Sequence, residues 1–369
     1  MKNISIITIL ALFLGSPSFA IADHHSGDEH QETEAKLKYL EISEMGNPAE
    51  VIKVKEYSPQ PLKSGEVRVK VLAAPINPSD LLQISGNYGV DPVLPSNPGS
   101  EGVGRVVETS AEVKNLTVGQ LVLLASGGTW RDEIVAPAAG FLPLPNMGPL
   151  SAEVIEQLAM SAVNPLTALL MLTSFVDVEK GQWIAQSAAN SAVGGYVIQL
   201  AKQRGIKTVN IVRREGLAEE LKSKGADVVL IDGPDLAAQI AKATGNAPVV
   251  LALDPVGGET YSRLAESLGY SGTLVTYGVL SGQPAILNTG NVIFNDTRLR
   301  GFWLYKWYQS ADMKTKQAAF GEVIPLIVNG TLKANVDSRY SVDEIKQAVT
   351  RAAERGRNGK VLIVPSAGK

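Results

Sequence analysis

Cysteine is absent from the 369 residues, and histidine occurs only at His24, His25 and His30. These two gaps exclude disulfides, thiol nucleophiles, iron–sulfur clusters and every Cys/His zinc site in the body of the chain. Ser-His-Asp hydrolysis is excluded with them, because no body serine has a histidine to serve it. Neither sign of charge dominates: 34 Lys+Arg stand against 37 Asp+Glu, for a net charge of −3. That balance gives no electrostatic case for nucleic acid. What is present is 45% hydrophobic and 19% charged residues, enough apolar material for a real core and the wrong composition for disorder. The length fits two ordinary domains, and 35 glycines with 20 prolines imply a turn-rich α/β enzyme.

The N-terminus has the pattern of a targeting segment. Lys2 opens it, residues 4–14 are apolar apart from Ser5 and Thr8, and Ala20-Ile21-Ala22 forms an A-x-A cleavage pattern. Residues 1–22 are therefore expected to be a secretory signal peptide, too short in its apolar run for a comfortable transmembrane helix. The expected mature start is Asp23 and the expected location periplasmic, or cytoplasmic if the segment is not a signal. Residues 23–35 follow with all three histidines and five acids. Imidazole and carboxylate are metal ligands, so a weak divalent-metal site is one reading of this arm. A solvated arm is the favoured one.

From residue 36 to about 145 the pattern is short β segments between turns. Residues 66–71 alternate by twos, 102–107 follow a Gly-rich turn, and 120–124 follow Val118-Gly119. Asn77-Pro78-Ser79-Asp80 has the residues of a helix start. Beyond Ser151 the spacing becomes helical, and Asn164-Pro165 opens an apolar helix over 166–172. A strand at 182–187, a small-residue turn, a helix at 196–204 and a strand at 207–212 then make a βαβ block. Further strands are expected at 249–253, 273–277 and 299–303, which argues a parallel, doubly wound sheet. A helix at 342–354 and a terminal strand at 360–364 have no unit of their own, so they are expected to return to the first domain. The expected division is 36–160 plus 310–369 for one domain and 161–309 for the other.

The turn Ala188 to Gly195 fits G-x-G-x-x-G poorly, but small residues stand at Ala188, Ser191 and Gly194. Small residues there let a pyrophosphate approach the backbone at a helix N-terminus. The second strand ends in Arg213-Arg214, nineteen residues beyond Gly194, where an NAD-binding fold has an acid for the ribose hydroxyl. Two arginines suit the 2′-phosphate of NADP instead. Each has a plainer alternative, a tight packing turn and two solvated surface charges.

The chain resembles the medium-chain dehydrogenase/reductase superfamily, and within it the zinc-free 2-enoyl thioester reductases of the mitochondrial trans-2-enoyl-CoA reductase type. The resemblance runs from about residue 36 to the C-terminus. It is carried by Asn77-Pro-Ser-Asp80, Gly86-Asn-Tyr-Gly89, Gly128-Thr-Trp-Arg131, Asn164-Pro165, Asn190 to Gly194, Thr276-Tyr-Gly278 and Leu299 to Leu304. It implies a GroES-like β domain carrying an inserted Rossmann domain, with NADPH as cofactor and no metal. It implies Tyr88 as proton donor. For NADPH contacts it implies Asn164, Asn190, Ser191, Ala192, Val193 and Gly194. It adds Arg213, Arg214, Tyr277, Gly278, Val279, Leu280, Phe302, Trp303, Leu304 and Lys360. Ala192 stands where relatives often have glycine.

The implied reaction is reduction of a trans-2-enoyl thioester, carried by CoA or acyl carrier protein, to the acyl thioester. Hydride goes to the β-carbon, and a hydroxyl with an ordinary pKa near 10 suits the proton delivery. The rivals are a zinc-free NADPH:quinone oxidoreductase and a non-catalytic nucleotide-binding protein. The apolar, aromatic strand near 299–303 suits pairing at a sheet edge, and a homodimer is expected.

Overall fold

The computed structural model describes residues 36–365; the expected leader at 1–22 and the acid- and histidine-rich arm at 23–35 lie outside the described residues. The alternation at 66–71 becomes the long strand Glu66–Pro75, with Val67, Val69 and Val71 on its buried face. Period-two patterning of this kind puts one face on a core and the other in solvent. The strand pairs antiparallel with Val103–Thr109, and Leu121–Leu123 and Leu142–Pro143 extend the sheet beyond it. On its other side it pairs with the C-terminal strand Lys360–Ile363, Ala74 facing Ile363 and Pro75 facing Leu362. That strand in turn runs parallel to Val336–Tyr340. Strand Lys360–Ile363, near the C-terminus, thus completes the sheet that Glu66–Pro75 begins.

The second sheet is parallel throughout. Its strands in chain order are β1 (Trp183–Gln186), β2 (Lys207–Val212), β3 (Val228–Ile231), β4 (Val249–Asp254), β5 (Leu268–Thr276) and β6 (Arg298–Gly301). They lie in the spatial order β3-β2-β1-β4-β5-β6, with every neighbouring pair parallel. The order reverses between β1 and β4, and that reversal opens a crevice at the carboxyl ends of the strands. The helix Ala192–Arg204 leaves β1 after a tight turn and stops at Gly205, whose φ of +69° is the left-handed stop that glycine supplies.

Several elements differ from the sequence expectations. The strand expected over 299–303 is Arg298–Gly301; Phe302 leaves the sheet and Trp303 caps the helix Leu304–Ser310. The reason is packing, since Phe302, Leu304 and Trp307 turn toward the main core instead of continuing along the edge. The helix expected over 342–354 starts as the 3-10 turn Val342–Glu344 and becomes α-helical over Ile345–Ala353. Strand β3 and the helices Ala218–Lys224, Leu236–Ala243 and Gly258–Glu266 were not expected at all.

One core cluster runs from Ala73, Val103 and Leu123 of the first sheet, through Leu158 and Leu166, to Val197 and Leu251 of the second. The helices Ala152–Ala159 and Asn164–Thr173 form the middle of it, which is why their sequences are so apolar. Each fully buried leucine there contributes about 1.5–3 kcal/mol. Among the described residues no single helix is long and apolar enough to cross a membrane.

Candidate active site

The turn after β1 is built for close approach. Ala188 has φ of +48°, a region that non-glycine residues seldom enter. Ser191 caps the helix that follows, its Oγ accepting from the N–H of Gly194 at 3.1 Å. A Cβ on Gly194 would fall 2.5 Å from the carbonyl oxygen of Ala189, so only glycine allows the turn to fold back on the helix. Asn190 is exposed on the turn, Ala192 is half-buried as the first helical residue, and Val193 is buried. At the crevice itself Ser187 hydrogen-bonds the Asp254 carboxylate, which also accepts from the N–H of Gly257 at 2.7 Å. First-turn N–H groups of a helix have no intrahelical partner and favour an anion.

The flanks of the crevice hold the other expected cofactor residues. Arg213 and Arg214 follow β2 directly, and both are exposed. Tyr277 follows β5; burial pushes its hydroxyl far up, the Asp254 carboxylate adds to this, and Ser191 beside it acts in the opposite direction. Gly278 passes so near Pro255 that a Cβ would sit 2.8 Å from that carbonyl oxygen. Val279 and Leu280 come next and are exposed. These features fit a dinucleotide: a capped helix start, glycines at two close backbone approaches, and two exposed guanidinium side chains at the end of β2.

Tyr88, in the loop after the helix Pro78–Ile84, meets Trp303 just beyond the carboxyl end of β6. Its hydroxyl oxygen accepts from Trp303 Nε1 at 2.7 Å, and the two rings meet edge to face with centroids 5.7 Å apart. Because the oxygen serves as acceptor, the phenolic proton stays available for donation. Gly89 makes the contact possible, since a Cβ there would lie 2.9 Å from the Trp303 ring. Tyr305 stacks at a tilt against Trp303, 5.1 Å away. Burial raises the Tyr88 pKa above its ordinary 10.0; the Trp303 hydrogen bond lowers it, and Asp80 and Tyr305 raise it further.

Below lies a cluster that sequence reasoning missed as a unit. Asn77, Asp80, Glu101, Asn164 and Lys360 are all buried. Glu101 accepts from Asn77 Nδ2 at 2.9 Å and from the N–H groups of Ala162 and Val163. Asn77 Oδ1 accepts from Asn164 Nδ2 at 3.0 Å and from Lys360 Nζ. Asp80 accepts from the N–H of Asn77 at 2.8 Å. Burial pushes Glu101 up to about 7 and Asp80 up to about 6, while it pulls Lys360 down to about 8. The structure thus joins two expected cofactor residues, Asn164 and Lys360, through Asn77, a helix-start residue of the resemblance motif with no expected cofactor role. The one clue to Glu101 is its place as a lone acid in Gly99-Ser-Glu-Gly-Val-Gly104. Phe302 packs edge to face on Phe175, and both Phe302 and Leu304 lie against the main core.

A GroES-like sheet joined to a nucleotide sheet of this strand order is the architecture of medium-chain dehydrogenases and reductases. The comparisons agree. The alcohol dehydrogenase GroES-like domain family matches residues 63–146, and the zinc-binding dehydrogenase family matches 192–322. An enoyl-[acyl-carrier-protein] reductase, mitochondrial, from Caenorhabditis elegans is 44% identical over 329 residues, covering 87% of this chain and 93% of the relative. The Etr1p structure with NADP and crotonyl-CoA superimposes with a TM-score of 0.81 at 28% identity, covering 89% of this chain and 99% of that one. A protein described as an NADPH:quinone reductase from Bacillus thuringiensis gives a TM-score of 0.80 at 30% identity, covering 90% and 99%. The chain belongs to the medium-chain dehydrogenase/reductase superfamily, in the branch of the 2-enoyl thioester reductases. The zinc in the name of the second matching family has no fit here: the described residues contain neither cysteine nor histidine and no acid cluster suited to a metal ion.

Proposed function

We propose that this protein reduces trans-2-enoyl thioesters with NADPH, giving the saturated acyl thioester. The observation that carries the reading is Tyr88, held by Trp303 at 2.7 Å with its own proton free. NADPH, when bound, supplies the hydride that adds to the β-carbon of the substrate. Ser191 and Gly194 shape the helix start for the pyrophosphate, and Arg213 with Arg214 takes the 2′-phosphate. Asn190, Ala192 and Val193 line the same turn; Tyr277, Gly278, Val279 and Leu280 line the opposite strand end. Phe302, Trp303 and Leu304 wall the nicotinamide side, and Asn164 and Lys360 close it from below. As charge grows on the thioester oxygen, the α-carbon becomes basic and Tyr88 delivers its proton there.

The domain division at about residues 160 and 310 belongs to this proposal, as does the choice between CoA and acyl carrier protein as carrier. A homodimer is supported by β6, which among the described residues pairs with β5 alone, and by exposed Ile293 and Phe294 beside it. The signal pattern expected over residues 1–22 is the argument for export, whereas the Caenorhabditis elegans relative is named as mitochondrial. Intact mass of the protein from its own host, starting at Asp23, supports a cleaved signal; a retained Met1 argues against that mature start.

The deciding experiment is NADPH oxidation by the purified protein with a medium-chain trans-2-enoyl-CoA, beside a benzoquinone. Fast turnover of the enoyl thioester is the expected result. Quinone turnover alone assigns the protein to the quinone reductases, and cofactor binding without either reaction assigns it a non-catalytic role.

A further inference from the structure

The hydrogen bonds of the buried cluster have only one consistent arrangement. The N–H groups of Ala162 and Val163 belong to the backbone and cannot turn; both donate to Glu101 Oε2, at 2.8 and 2.9 Å. The other carboxylate oxygen accepts from Asn77 Nδ2 at 2.9 Å. With its nitrogen committed there, Asn77 must present its carbonyl oxygen to Lys360 Nζ and Asn164 Nδ2. Reversing that amide would set three donors against one another and leave the carboxylate facing an oxygen. Asn77, Glu101 and Lys360 are 1%, 0% and 3% exposed, so water cannot repair the mismatch.

We propose that Glu101 is a positioning residue for the cofactor site: ionised, it orients the Asn77 amide, and Asn77 in turn holds Lys360 and Asn164 for NADPH. This deepens the enoyl reductase reading and rests on it. Glu101 touches neither substrate nor cofactor in this scheme; it acts through Asn77. Asp80, Lys360 and the hydroxyls of Tyr196 and Tyr308 are the titratable groups facing Glu101, and Arg357 faces Lys360. A proton on Glu101 would sit on an oxygen that already faces a donor. NADPH affinity should therefore weaken as pH falls through about 7, where burial places the Glu101 carboxyl. It should weaken again as pH rises through about 8 and Lys360 loses its charge. The two limbs belong to the coupled pair as a whole.

The test uses N77D, E101Q and the exchanged pair N77D/E101Q. Glutamine can accept from the two backbone N–H groups only by turning its own NH2 onto that of Asn77. In the double variant that NH2 meets a carboxylate, whose second oxygen accepts from Lys360 and Asn164; the pattern and the net charge are both restored. NADPH binding to each purified protein is measured by titration from pH 6 to 9, beside thermal unfolding without cofactor. E101Q is expected to weaken NADPH about tenfold or more and to lose the acid limb, and the double variant to recover to within about threefold of wild type. The thermal shifts of N77D and E101Q should be strongly non-additive. An E101Q that binds within about twofold of wild type with its acid limb intact overturns the proposal, as do additive thermal shifts or a double variant no better than E101Q. A wild type that fails to bind NADPH overturns the functional reading instead, and the thermal cycle then decides the network by itself. If E101Q does not fold, recovery by the double variant still supports the proposal and its failure overturns it.

Discussion

Replacing Tyr88 with phenylalanine removes one oxygen and leaves the ring in place, 5.7 Å from Trp303 between centroids. Two losses follow, and they differ in size. Trp303 Nε1 loses its 2.7 Å acceptor. Both residues are only half-buried, so water can partly replace the bond and the cost is about 1 kcal/mol of stability. Melting should fall by only about 2–4 °C. The catalytic loss is larger: a positioned general acid contributes about 100- to 10,000-fold, or roughly 3–5 kcal/mol of barrier. NADPH oxidation with a trans-2-enoyl-CoA should thus slow by at least about 100-fold, with NADPH affinity nearly unchanged. A turnover within about threefold of wild type would refute the proton-donor argument. The pH profile gives a second check. Burial holds the Tyr88 pKa above 10.0, so the hydroxyl stays protonated at neutral pH and its activity is lost only as pH rises through that raised value. An alkaline limb that persists in Y88F belongs to another group.

Arg213→Ala should raise the NADPH KM about tenfold or more and alter the NADH KM little, because only NADPH carries the 2′-phosphate; equal changes for both remove that role. Gly194→Ala forces a methyl to within 2.5 Å of a backbone oxygen and should cost about 1–3 kcal/mol or more, read as a lower Tm; an unchanged Tm would show that the turn can relax. Phe294→Asp, at a site 78% exposed beside the open edge of β6, should shift light scattering from dimer to monomer, and a dimer mass retained would place the interface elsewhere.

Local patterns account for what was legible. Alternation in Glu66–Pro75 is decided within a few residues, so periodicity reports it; the helix expected over 196–204 begins four residues earlier, at Ala192, because Ser191 caps it within the small-residue turn. Strand β3 escaped because its residues are half-buried or exposed and show no clear period. The edge strand expected over 299–303 was placed too far along, because its aromatic run signals strand whereas core packing turns Phe302 and Leu304 inward. Glu101 escaped because a single acid between glycines carries no period; its role depends on partners brought from Asn77 and from the start of the Asn164 helix.

The sequence by itself determined the kind of chemistry open to this protein. With no cysteine, and with histidine confined to residues 24–30, proton transfer in the body falls to tyrosine, lysine and carboxylates, and the small-residue turn with Arg213-Arg214 marks an anion site. Tertiary structure alone decided which side chains meet. Tyr88 and Trp303 are 215 residues apart and Asn77 and Lys360 are 283 apart, yet each pair shares a hydrogen bond. Such contacts leave no local trace, because the pattern of a segment records which face it buries and not what lies against that face. Burial then set the charges: Glu101 rises and Lys360 falls only because the fold removes both from water.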